Sequence, residues 1–581
     1  MYPGRENIHS PRSCFSHPGF WLIFVSLLAA PGRDLAQPAL PEQAIDSIFA
    51  RWNSPASPGC ALGIIRDGKL VYSQGYGMAS LEDSVPNSAN SLFDIGSMSK
   101  QFTAACVLML AHQHKLSLDD DVRKYVPELP DYGERISIRH LLNHTSGLRD
   151  YITLIYYSGV HVEDLETTRE ALGMIMRQKA LNFPPGDEWS YSNTGYLLAS
   201  LVVERVSGIS LPEFAKRNFF DPLGMTHTVW VNGAGRVLAN LAEGYSDKPE
   251  GGFQRNMSDW ELVGDGGIRT TVGDLVMWDR NFYSGAAGGE SLFHELTTPG
   301  TLNSGKKLGY GLGFFLETYK GLDVVRHEGE WAGYKSELLR IPSEHFSVIC
   351  LCNLHSMNPT WLAERVVDKC LAGAFPAAPA PAGTPRAGIG TALPTDPADA
   401  SRWTGYYRNP SDETIRLITL RNDTIVYNRV PGAATPLLRI GPERFTMLGV
   451  PNQVVVRFTG GPSTHATGMD VVVDSAKPIV FRAFEPLRLT REQCREYEGT
   501  YISEELDTRY GIAAADSGLL VQIRRFDDLP LTPTVRDVFK YQDFRQFVFQ
   551  RDGSQGVSGF LMSDARARNI RFVKESRTGG R

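Results

Sequence analysis

The order of secondary-structure patterns along residues 41–375 is the feature that most limits the fold of this chain. Strand-like runs at 60–66 and 69–75 flank Asp67-Gly68, a dipeptide typical of tight β-hairpins. A long, mainly helical stretch follows. Near the end of the segment, strand-like runs return at 322–327, 334–341 and 345–351. One more helical pattern follows them, at 358–371. We therefore expect an α/β unit whose first and last strands meet in one antiparallel sheet.

The remainder of the chain contains a linker and a repeat. Residues 376–398 are rich in Ala, Pro and Gly without periodicity, which is typical of a linker. Beyond it, WTGYY at 403–407 aligns with YEGTY at 497–501. Three pairs of positions match at this same spacing, namely Gly405 and Gly499, Pro436 and Pro530, and Phe445 and Phe539. The pattern predicts two copies of a β domain, at 399–485 and 486–581, with no nucleophile–base arrangement in either copy.

The N-terminus has the pattern of an export signal. Arg5 and Arg12 precede an apolar run at 20–30, which is too short to span a bilayer. We expect residues 1–36 to be a signal peptide and the mature protein to be periplasmic or secreted; an uncleaved amphipathic tail is the alternative. No later segment reaches 18 apolar residues, so no membrane span is expected in the mature chain.

Charge and cysteine content exclude several functional classes. A net charge of −6 over 581 residues leaves no basic surplus, which argues against binding nucleic acid or an anionic membrane. The seven cysteines form no CxxC motif and no Cys/His cluster. We interpret them as buried free thiols rather than as a metal or redox site.

Ser97 and Lys100 form an S-x-x-K motif within FDIGSMSKQFTAACVLML. Residues 101–111 are apolar on nearly every face, which predicts a buried helix with Ser97 at its N-terminal end. Lys100 lies one turn along on the same face. A helix N-terminus favours developing negative charge, and a nearby amine assists deprotonation of a hydroxyl nucleophile. A second S-x-x-K, at Ser304 and Lys307, lies in a Gly/Lys stretch that we interpret as a solvated loop.

Tyr191 and Asn193 form a Y-x-N motif within PPGDEWSYSNTGYLLASLVVERV. A Pro/Gly turn before the motif and an apolar helix after it place Tyr191 on an ordered loop at a helix start. The pKa of a free phenol, about 10, is too high for a base, but the ammonium of Lys100 would favour the phenolate and let it accept the proton of Ser97. In the alternative interpretation the hydroxyl of Tyr191 only caps the helix. A further Y-x-N begins at Tyr407, inside the β repeat.

His327-Glu328-Gly329 stands at the end of a predicted strand and precedes WAGYKSELLRI. A polar side chain on a strand, followed by a glycine that permits close backbone approach, is suited to one wall of a cleft. The pattern is weak by itself, because His17-Pro18-Gly19 near the N-terminus matches it and a single histidine is often structural.

The three motifs follow one another in a fixed order within the α/β unit. In this combination the chain resembles the serine β-lactamase and penicillin-binding protein-like family, which includes class C β-lactamases, D-alanyl-D-alanine carboxypeptidases and D-aminopeptidases. IRHLLNHTSGL, GDGGIRTTVGDL and YGLGF are also similar to the family. The resemblance implies a β-lactamase/transpeptidase-like domain over 37–375, with an antiparallel sheet and a helical subdomain. It also implies that the two β domains are antiparallel barrels, as in the D-aminopeptidases of the family.

The resemblance also implies roles by position. Ser97 would attack the acyl carbon and form an acyl-enzyme, and Lys100 would assist its deprotonation. Tyr191 would act as general base and then protonate the leaving group, while Asn193 would orient Lys100 and the substrate. This chemistry requires no metal and no cofactor.

His327 and Gly329 would line the opposite wall, and the backbone N–H groups of Ser97 and Glu330 would form the oxyanion hole. Class C β-lactamases carry a lysine where this chain has His327. A largely neutral histidine predicts weaker selection for a substrate carboxylate, and a shift toward D-amino-acyl amides, peptides or esters. The negative charge of Glu328, beside the oxyanion site, is expected to slow acyl transfer. His144, in the HTSGL loop, is interpreted as structural.

The sequence therefore predicts a serine hydrolase that acts on a small-molecule or peptide substrate: D-amino-acid peptides or amides, esters, or β-lactams. One alternative is a penicillin-binding or peptidoglycan-peptide-binding sensor that is acylated without turnover. A second is a structural, β-rich surface protein with an inert α/β domain. The sequence does not indicate an oligomeric state.

Overall fold

A computed structural model describes residues 40–161, 164, 167–231, 237–261, 263–376, 397–411, 414–421, 424–430, 434–448, 454–460, 465–473, 477–542 and 545–575. The described residues from Glu42 onward form one compact unit. The predicted signal peptide lies outside the described residues, as does most of the predicted linker.

An antiparallel six-stranded sheet lies at the centre of the first region. In chain order the strands of this region are β1 (Cys60–Arg66), β2 (Lys69–Tyr76), β3 (Met78–Ser80), β4 (Val85–Pro86), β5 (Phe93–Asp94), β6 (Val229–Trp230), β7 (Tyr245–Asp247), β8 (Phe253–Arg255), β9 (Ile268–Thr270), β10 (Phe315–Tyr319), β11 (Leu322–Trp331), β12 (Tyr334–Ile341) and β13 (Phe346–Cys352). The central sheet has the order β10-β11-β12-β13-β1-β2, so the first and last strands meet as the sequence predicts. Asp67 and Gly68, in the β1–β2 turn, both have positive φ, as a tight hairpin requires.

Helices fill the middle of this region and close its end. They are α1 (Glu42–Phe49), α2 (Lys100–His112), α3 (Ile138–Leu142), α4 (Tyr151–Ser158), α5 (Thr168–Met176), α6 (Asn193–Ser207), α7 (Leu211–Ala215), α8 (Asp221–Leu223), α9 (Val272–Ser284), α10 (Glu290–Leu296) and α11 (Pro359–Cys370). Short 3₁₀ turns occur at Ala50–Trp52, Gly96–Ser99, Val122–Lys124 and Pro342–Glu344, and a π-helical stretch at Lys216–Phe220. Helix α2 is buried on nearly all sides, in agreement with its apolar sequence. Among the described helices, none has both the length and the apolar character needed to cross a membrane.

Two closed eight-stranded barrels follow. The first consists of β14 (Gly405–Arg408), β15 (Ile415–Arg421), β16 (Thr424–Val430), β17 (Ala434–Arg439), β18 (Arg444–Met447), β19 (Val454–Thr459), β20 (Gly468–Val473) and β21 (Ile479–Phe484), after the short helix α12 (Pro397–Ala400). The second consists of β22 (Gly499–Ser503), β23 (Thr508–Ala515), β24 (Gly518–Ile523), β25 (Leu529–Val535), β26 (Val538–Tyr541), β27 (Arg545–Arg551), β28 (Val557–Ser563) and β29 (Ile570–Lys574), after helix α13 (Arg491–Cys494) and the 3₁₀ turn Arg495–Tyr497.

The barrels repeat the same contacts at the spacing found in the sequence. Tyr407 donates a hydrogen bond from its hydroxyl to the carbonyl oxygen of Trp403 at 2.8 Å, and Tyr501 donates to that of Tyr497 at 2.6 Å. The prediction of an antiparallel sheet with a helical region, followed by two antiparallel barrels, is confirmed. The second Y-x-N motif is thus accounted for, because Tyr407 is a buried core residue of the first barrel.

The second barrel packs directly against the helices of the first region. Its buried apolar residues belong to the same hydrophobic core as those of helices α2–α6, whereas the first barrel has a core of its own. A buried ion pair joins Arg149 to Glu505, with 2.5 Å between Nη1 and Oε1. Tyr510 adds a hydrogen bond from its hydroxyl to the carbonyl oxygen of Tyr157 at 2.7 Å. A second barrel anchored in this way can bring its loops to the first region.

The cysteine prediction is wrong for two residues. Cys60 and Cys352 form a disulfide, because they stand opposite each other on the neighbouring strands β1 and β13. The two cysteines are 292 residues apart in the chain, so only the sheet order brings them together. The described cysteines Cys106, Cys350, Cys370 and Cys494 are free thiols.

Candidate active site

Ser97 lies in the 3₁₀ turn that leads directly into helix α2. The turn is held from both sides. The carboxylate of Asp94 accepts a hydrogen bond from the backbone N–H of Gly96 at 2.7 Å. Gly96 has a φ of +47°, and a Cβ there would lie 2.8 Å from the backbone nitrogen of Glu330. The nucleophile candidate is therefore fixed against strand β11, at the floor of a cleft of about 1080 Å³.

Lys100 is fully buried, and its amine reaches three oxygens. The distances from Nζ are 2.7 Å to the carbonyl oxygen of Asp265, 2.8 Å to Oδ1 of Asn193 and 3.0 Å to Oγ of Ser97. Two of these partners can only accept a hydrogen bond, whereas a serine hydroxyl can also donate one. A neutral amine would therefore use its two N–H bonds for Asp265 and Asn193, and its lone pair would face Ser97.

The surroundings of Lys100 shift its equilibrium toward that neutral form. Burial removes the hydration of the ammonium and lowers the pKa of Lys100 to about 8, while the negative charges of Asp265 and Asp150 oppose the shift. The positive charge of Arg566, from the second barrel, lowers the pKa further. A lysine with such a pKa is partly neutral near pH 7 and is suited to accept a proton.

Tyr191 lies over Lys100, with 5.0 Å between Nζ and the centroid of the phenol ring. The ring is partly exposed to the cleft, but the hydroxyl is buried and completes no hydrogen bond among the described residues. Burial raises the pKa of Tyr191 above its ordinary value, although the nearby hydroxyl of Ser97 and the positive charge of Arg566 oppose the rise. The expected stabilisation of a phenolate by Lys100 is thus outweighed, and Tyr191 keeps its proton in the free protein.

His327 is part of a hydrogen-bonded chain that crosses the back of the site. Its Nδ1 lies 2.6 Å from the carbonyl oxygen of Glu328, and its Nε2 lies 3.1 Å from the hydroxyl of Tyr310. That hydroxyl lies 3.2 Å from Nε2 of His144, whose Nδ1 accepts a hydrogen bond from the backbone N–H of Ser192 at 3.2 Å. The groups at the two ends of the chain determine which atom donates in each hydrogen bond, because the backbone N–H of Ser192 can only donate and the carbonyl oxygen of Glu328 can only accept. His144 donates to Tyr310, Tyr310 donates to His327, and His327 donates to Glu328.

Both histidines in this chain are neutral. Burial, with the nearby charge of Lys100, lowers the pKa of His327 to about 3 and that of His144 well below its ordinary value. The His144 ring also packs against the ring of Tyr191, with 4.3 Å between centroids. Sequence reasoning took His144 as structural, and it missed Tyr310, which stands in the YGLGF stretch. Both residues position the Y-x-N loop relative to strand β11.

Strand β11 extends past the predicted end at residue 327 and carries the H-x-G motif within it, up to Trp331. A Cβ on Gly329 would lie 1.9 Å from the carbonyl oxygen of Ile95, so only glycine allows the strand to approach the Ser97 turn. The same carbonyl accepts a hydrogen bond from Oγ of Ser336 at 2.9 Å. This close approach brings Glu330, the predicted second oxyanion donor, to the edge of the cleft beside Ser97.

The structure brings the predicted site residues together at one cleft and places the second S-x-x-K motif away from it. The cleft is lined by Ser97, Tyr191, Asn193, His327, Gly329 and Glu330, with Lys100 buried beneath Ser97. Ser304 and Lys307 are exposed on a loop elsewhere, as expected. Glu328 also borders the cleft, but its carboxylate accepts a hydrogen bond from Thr360 at 3.3 Å.

Several residues of the site were not predicted, because the chain brings them in from distant segments. Asp150 caps helix α4 and accepts a hydrogen bond from the backbone N–H of Asn193 at 2.7 Å. Asp265 accepts a hydrogen bond from the hydroxyl of Tyr151 at 2.9 Å. Arg566 comes from the β28–β29 loop of the second barrel. The GDGG stretch around Asp265 was the one available signal; nothing in the sequence linked Arg566 to the cleft.

Fold and site together define the class of this protein: it has a β-lactamase-like domain in which a serine, a lysine and a tyrosine meet at one cleft. The chain belongs to the Beta-lactamase family, whose model matches residues 45–371. The match ends before the barrels, so it describes the region that contains the cleft.

Relatives with assigned names agree with this class. The chain is 30% identical over 312 residues to a D-aminopeptidase of Gluconobacter oxydans, covering 54% of this chain and 58% of that protein. It is 26% identical over 464 residues to a D-aminopeptidase of Cereibacter sphaeroides, covering 79% of this chain and 82% of that protein. The octameric penicillin-binding protein homologue from Pyrococcus abyssi shares the fold, with a TM-score of 0.52 and 22% identity over 76% of this chain and 99% of that one.

Proposed function

We propose that the protein is an exported serine hydrolase that forms an acyl-enzyme at Ser97 and acts on D-amino-acid peptides or amides, with esters and β-lactams as further acyl donors. The observation that carries the proposal is the arrangement around Lys100, whose amine has two carbonyl-type acceptors and then Ser97 within 3.0 Å. The D-aminopeptidase names of the relatives support the choice of substrate class.

In the acylation step, the neutral amine of Lys100 accepts the proton of Ser97 as Oγ forms a bond to the substrate carbonyl carbon. The carbonyl oxygen becomes an oxyanion, which accepts hydrogen bonds from the backbone N–H groups of Ser97 and Glu330. Each such donor contributes on the order of 10² to 10³ in rate. Asn193 holds the lysine in place throughout, because its amide oxygen accepts one of the two remaining N–H bonds.

The leaving group departs with a proton. As the bond from the carbonyl carbon to the leaving nitrogen breaks, Tyr191 donates its phenolic proton to that nitrogen and regains one from the ammonium of Lys100. The raised pKa of Tyr191 suits this role, because a protonated phenol is ready to donate. In deacylation, water attacks the ester carbon and gives a proton to the neutral amine of Lys100. As the bond from that carbon to Oγ breaks, Tyr191 donates a proton to Oγ of Ser97 and regains one from the ammonium of Lys100.

A labelling and turnover experiment tests the proposal. The purified protein is incubated with a fluorescent penicillin, with D-alanine p-nitroanilide and with a panel of p-nitrophenyl esters, next to the Ser97→Ala variant. We expect product release that disappears in Ser97→Ala, while its circular dichroism spectrum stays unchanged. Labelling without product release would instead support the non-turnover binding protein. No labelling and no turnover would contradict both.

We also propose that the protein is exported through its N-terminal 36 residues. The apolar run at 20–30 supports this, and so does the Cys60–Cys352 disulfide, because disulfides persist in oxidising compartments. Expression of the full chain in a Gram-negative host, followed by fractionation and intact-mass measurement, tests the proposal. We expect an extracytoplasmic protein that begins near residue 37; a full-length cytoplasmic product would contradict it.

A further inference from the structure

Four arginine and lysine side chains line the cleft, and three of them are already paired with a carboxylate. Arg269 pairs with Asp94 at 3.1 Å, Lys335 with Glu330 at 2.7 Å and Arg568 with Glu188 at 3.0 Å. The fourth is Arg566, which is exposed and has no ion pair and no side-chain hydrogen bond among the described residues. Its guanidinium is therefore available to a ligand.

The backbone of Arg566 is held firmly, although its guanidinium has no carboxylate partner among the described residues. Its carbonyl oxygen accepts hydrogen bonds from the backbone N–H of Asp150 at 3.1 Å and from Nδ2 of Asn182 at 2.9 Å. Its own N–H donates to Asp564 at 2.7 Å, and the other carboxylate oxygen of Asp564 accepts a hydrogen bond from Tyr157. The second barrel thus places one cation at a defined point of the cleft.

That point lies beside the group that we propose protonates the leaving nitrogen. Cζ of Arg566 is 5.1 Å from the centroid of the Tyr191 ring. If the leaving group is an amino acid, its α-carboxylate is separated from that nitrogen by one carbon atom. A carboxylate this close to the leaving nitrogen would lie in the part of the cleft that Tyr191 and Arg566 share. Arginine matches a carboxylate with two parallel N–H donors, which makes it a strong and selective partner.

We propose that Arg566 binds a carboxylate carried by the leaving group, so that the enzyme selects substrates that end in a free D-amino acid. The inference rests on the proposed acyl-transfer function and names its leaving group. It also revises the expectation of weak carboxylate selection drawn from His327. The H-x-G motif supplies no cation, because His327 is neutral. The second barrel, which lies outside the residues matched by the family model, supplies one through Arg566.

Two substrates that differ by one group test the inference. N-acetyl-D-alanyl-D-alanine carries the carboxylate, and its C-terminal amide does not. We expect the native protein to prefer the acid, and Arg566→Gln to reduce the ratio of the two kcat/KM values by about 10- to 100-fold, mainly through KM. Arg566→Glu should reverse the preference. The matched control is Arg571→Gln, which removes the same charge from an exposed position outside the cleft and should leave the ratio unchanged.

A ratio that stays within about twofold in Arg566→Gln would overturn the inference. An equal loss for acid and amide would also overturn it, because the arginine would then act through the phenol of Tyr191 and not on the substrate. Binding separates this inference from the proposed function. In calorimetry with N-acetyl-D-alanyl-D-alanine, Ser97→Ala should bind about 10- to 100-fold more tightly than Ser97→Ala/Arg566→Gln, whether or not the native protein turns over. Equal affinities, or no binding to either variant, would refute it.

Discussion

The pH dependence of acylation is a direct test of which side chain accepts the proton of Ser97. Burial lowers the pKa of Lys100 to about 8, and acylation requires its neutral form. The neutral fraction is then about one tenth at pH 7 and about nine tenths at pH 9. The rate should therefore rise about tenfold between these two values and reach a plateau above pH 9.

The assay is stopped-flow acylation by a p-nitrophenyl ester under kcat/KM conditions between pH 6 and pH 10, with circular dichroism at each pH to verify the fold. The Lys100→Ala variant should show almost no acylation at any pH. Lys307→Ala is the matched control, because it changes the exposed lysine of the other S-x-x-K motif, and its profile should coincide with that of the native protein. A rate that still rises tenfold per unit through pH 10 would refute the reasoning. It would mean that the acceptor is a group of higher pKa, such as the phenol of Tyr191.

Three substitutions test the supports of the site. Tyr310→Phe leaves two buried imidazole nitrogens without partners, at about 1–3 kcal/mol each, and should lower both the urea midpoint and kcat; an unchanged midpoint would contradict the hydrogen-bonded chain. Glu505→Gln leaves Arg149 buried without its counter-ion and should destabilise the protein by about 3–5 kcal/mol, measured as a lower thermal midpoint; native stability would argue against docking through this pair. Gly329→Ala puts a Cβ 1.9 Å from the carbonyl oxygen of Ile95 and should abolish turnover, and a fully active variant would disprove the close approach.

Local patterns were enough to predict most of the fold. The Asp67-Gly68 hairpin, the apolar helix after Ser97 and the repeat at 403–407 and 497–501 each depend on neighbouring residues, and the structure contains all three. The disulfide of Cys60 needed more than the expectation that the first and last strands meet, because it also depends on the register that puts Cys60 opposite Cys352. Sequence patterns report periodicity along the chain, whereas the register between strands that are hundreds of residues apart is set by packing.

The same limit applied to the site, where the motif residues were predicted and their charge states were not. A lysine next to a tyrosine suggests a phenolate, and that inference treats the pair as if it were in water. Both side chains are buried, so loss of hydration dominates. It lowers the pKa of Lys100 and raises that of Tyr191. The direction of proton transfer therefore depends on burial, which the motif does not report.

The two barrels have the same fold, but the second lines the cleft, and one substituted position contributes to that difference. By strand register, Tyr510 of the second barrel corresponds to Arg416 of the first, since each stands opposite the repeated tyrosine of its first strand. Tyr510 is fully buried and donates a hydrogen bond to the helical region, whereas the guanidinium of Arg416 hydrogen-bonds within its own barrel, to Tyr427 at 2.9 Å. The second barrel thus docks on the helical region because this position carries a tyrosine that the helices can bury, where the first barrel has an arginine. Tyr510→Arg should consequently separate the second barrel from the cleft and remove the acid-over-amide preference while the first barrel stays folded. Retention of that preference would show that docking does not depend on this residue.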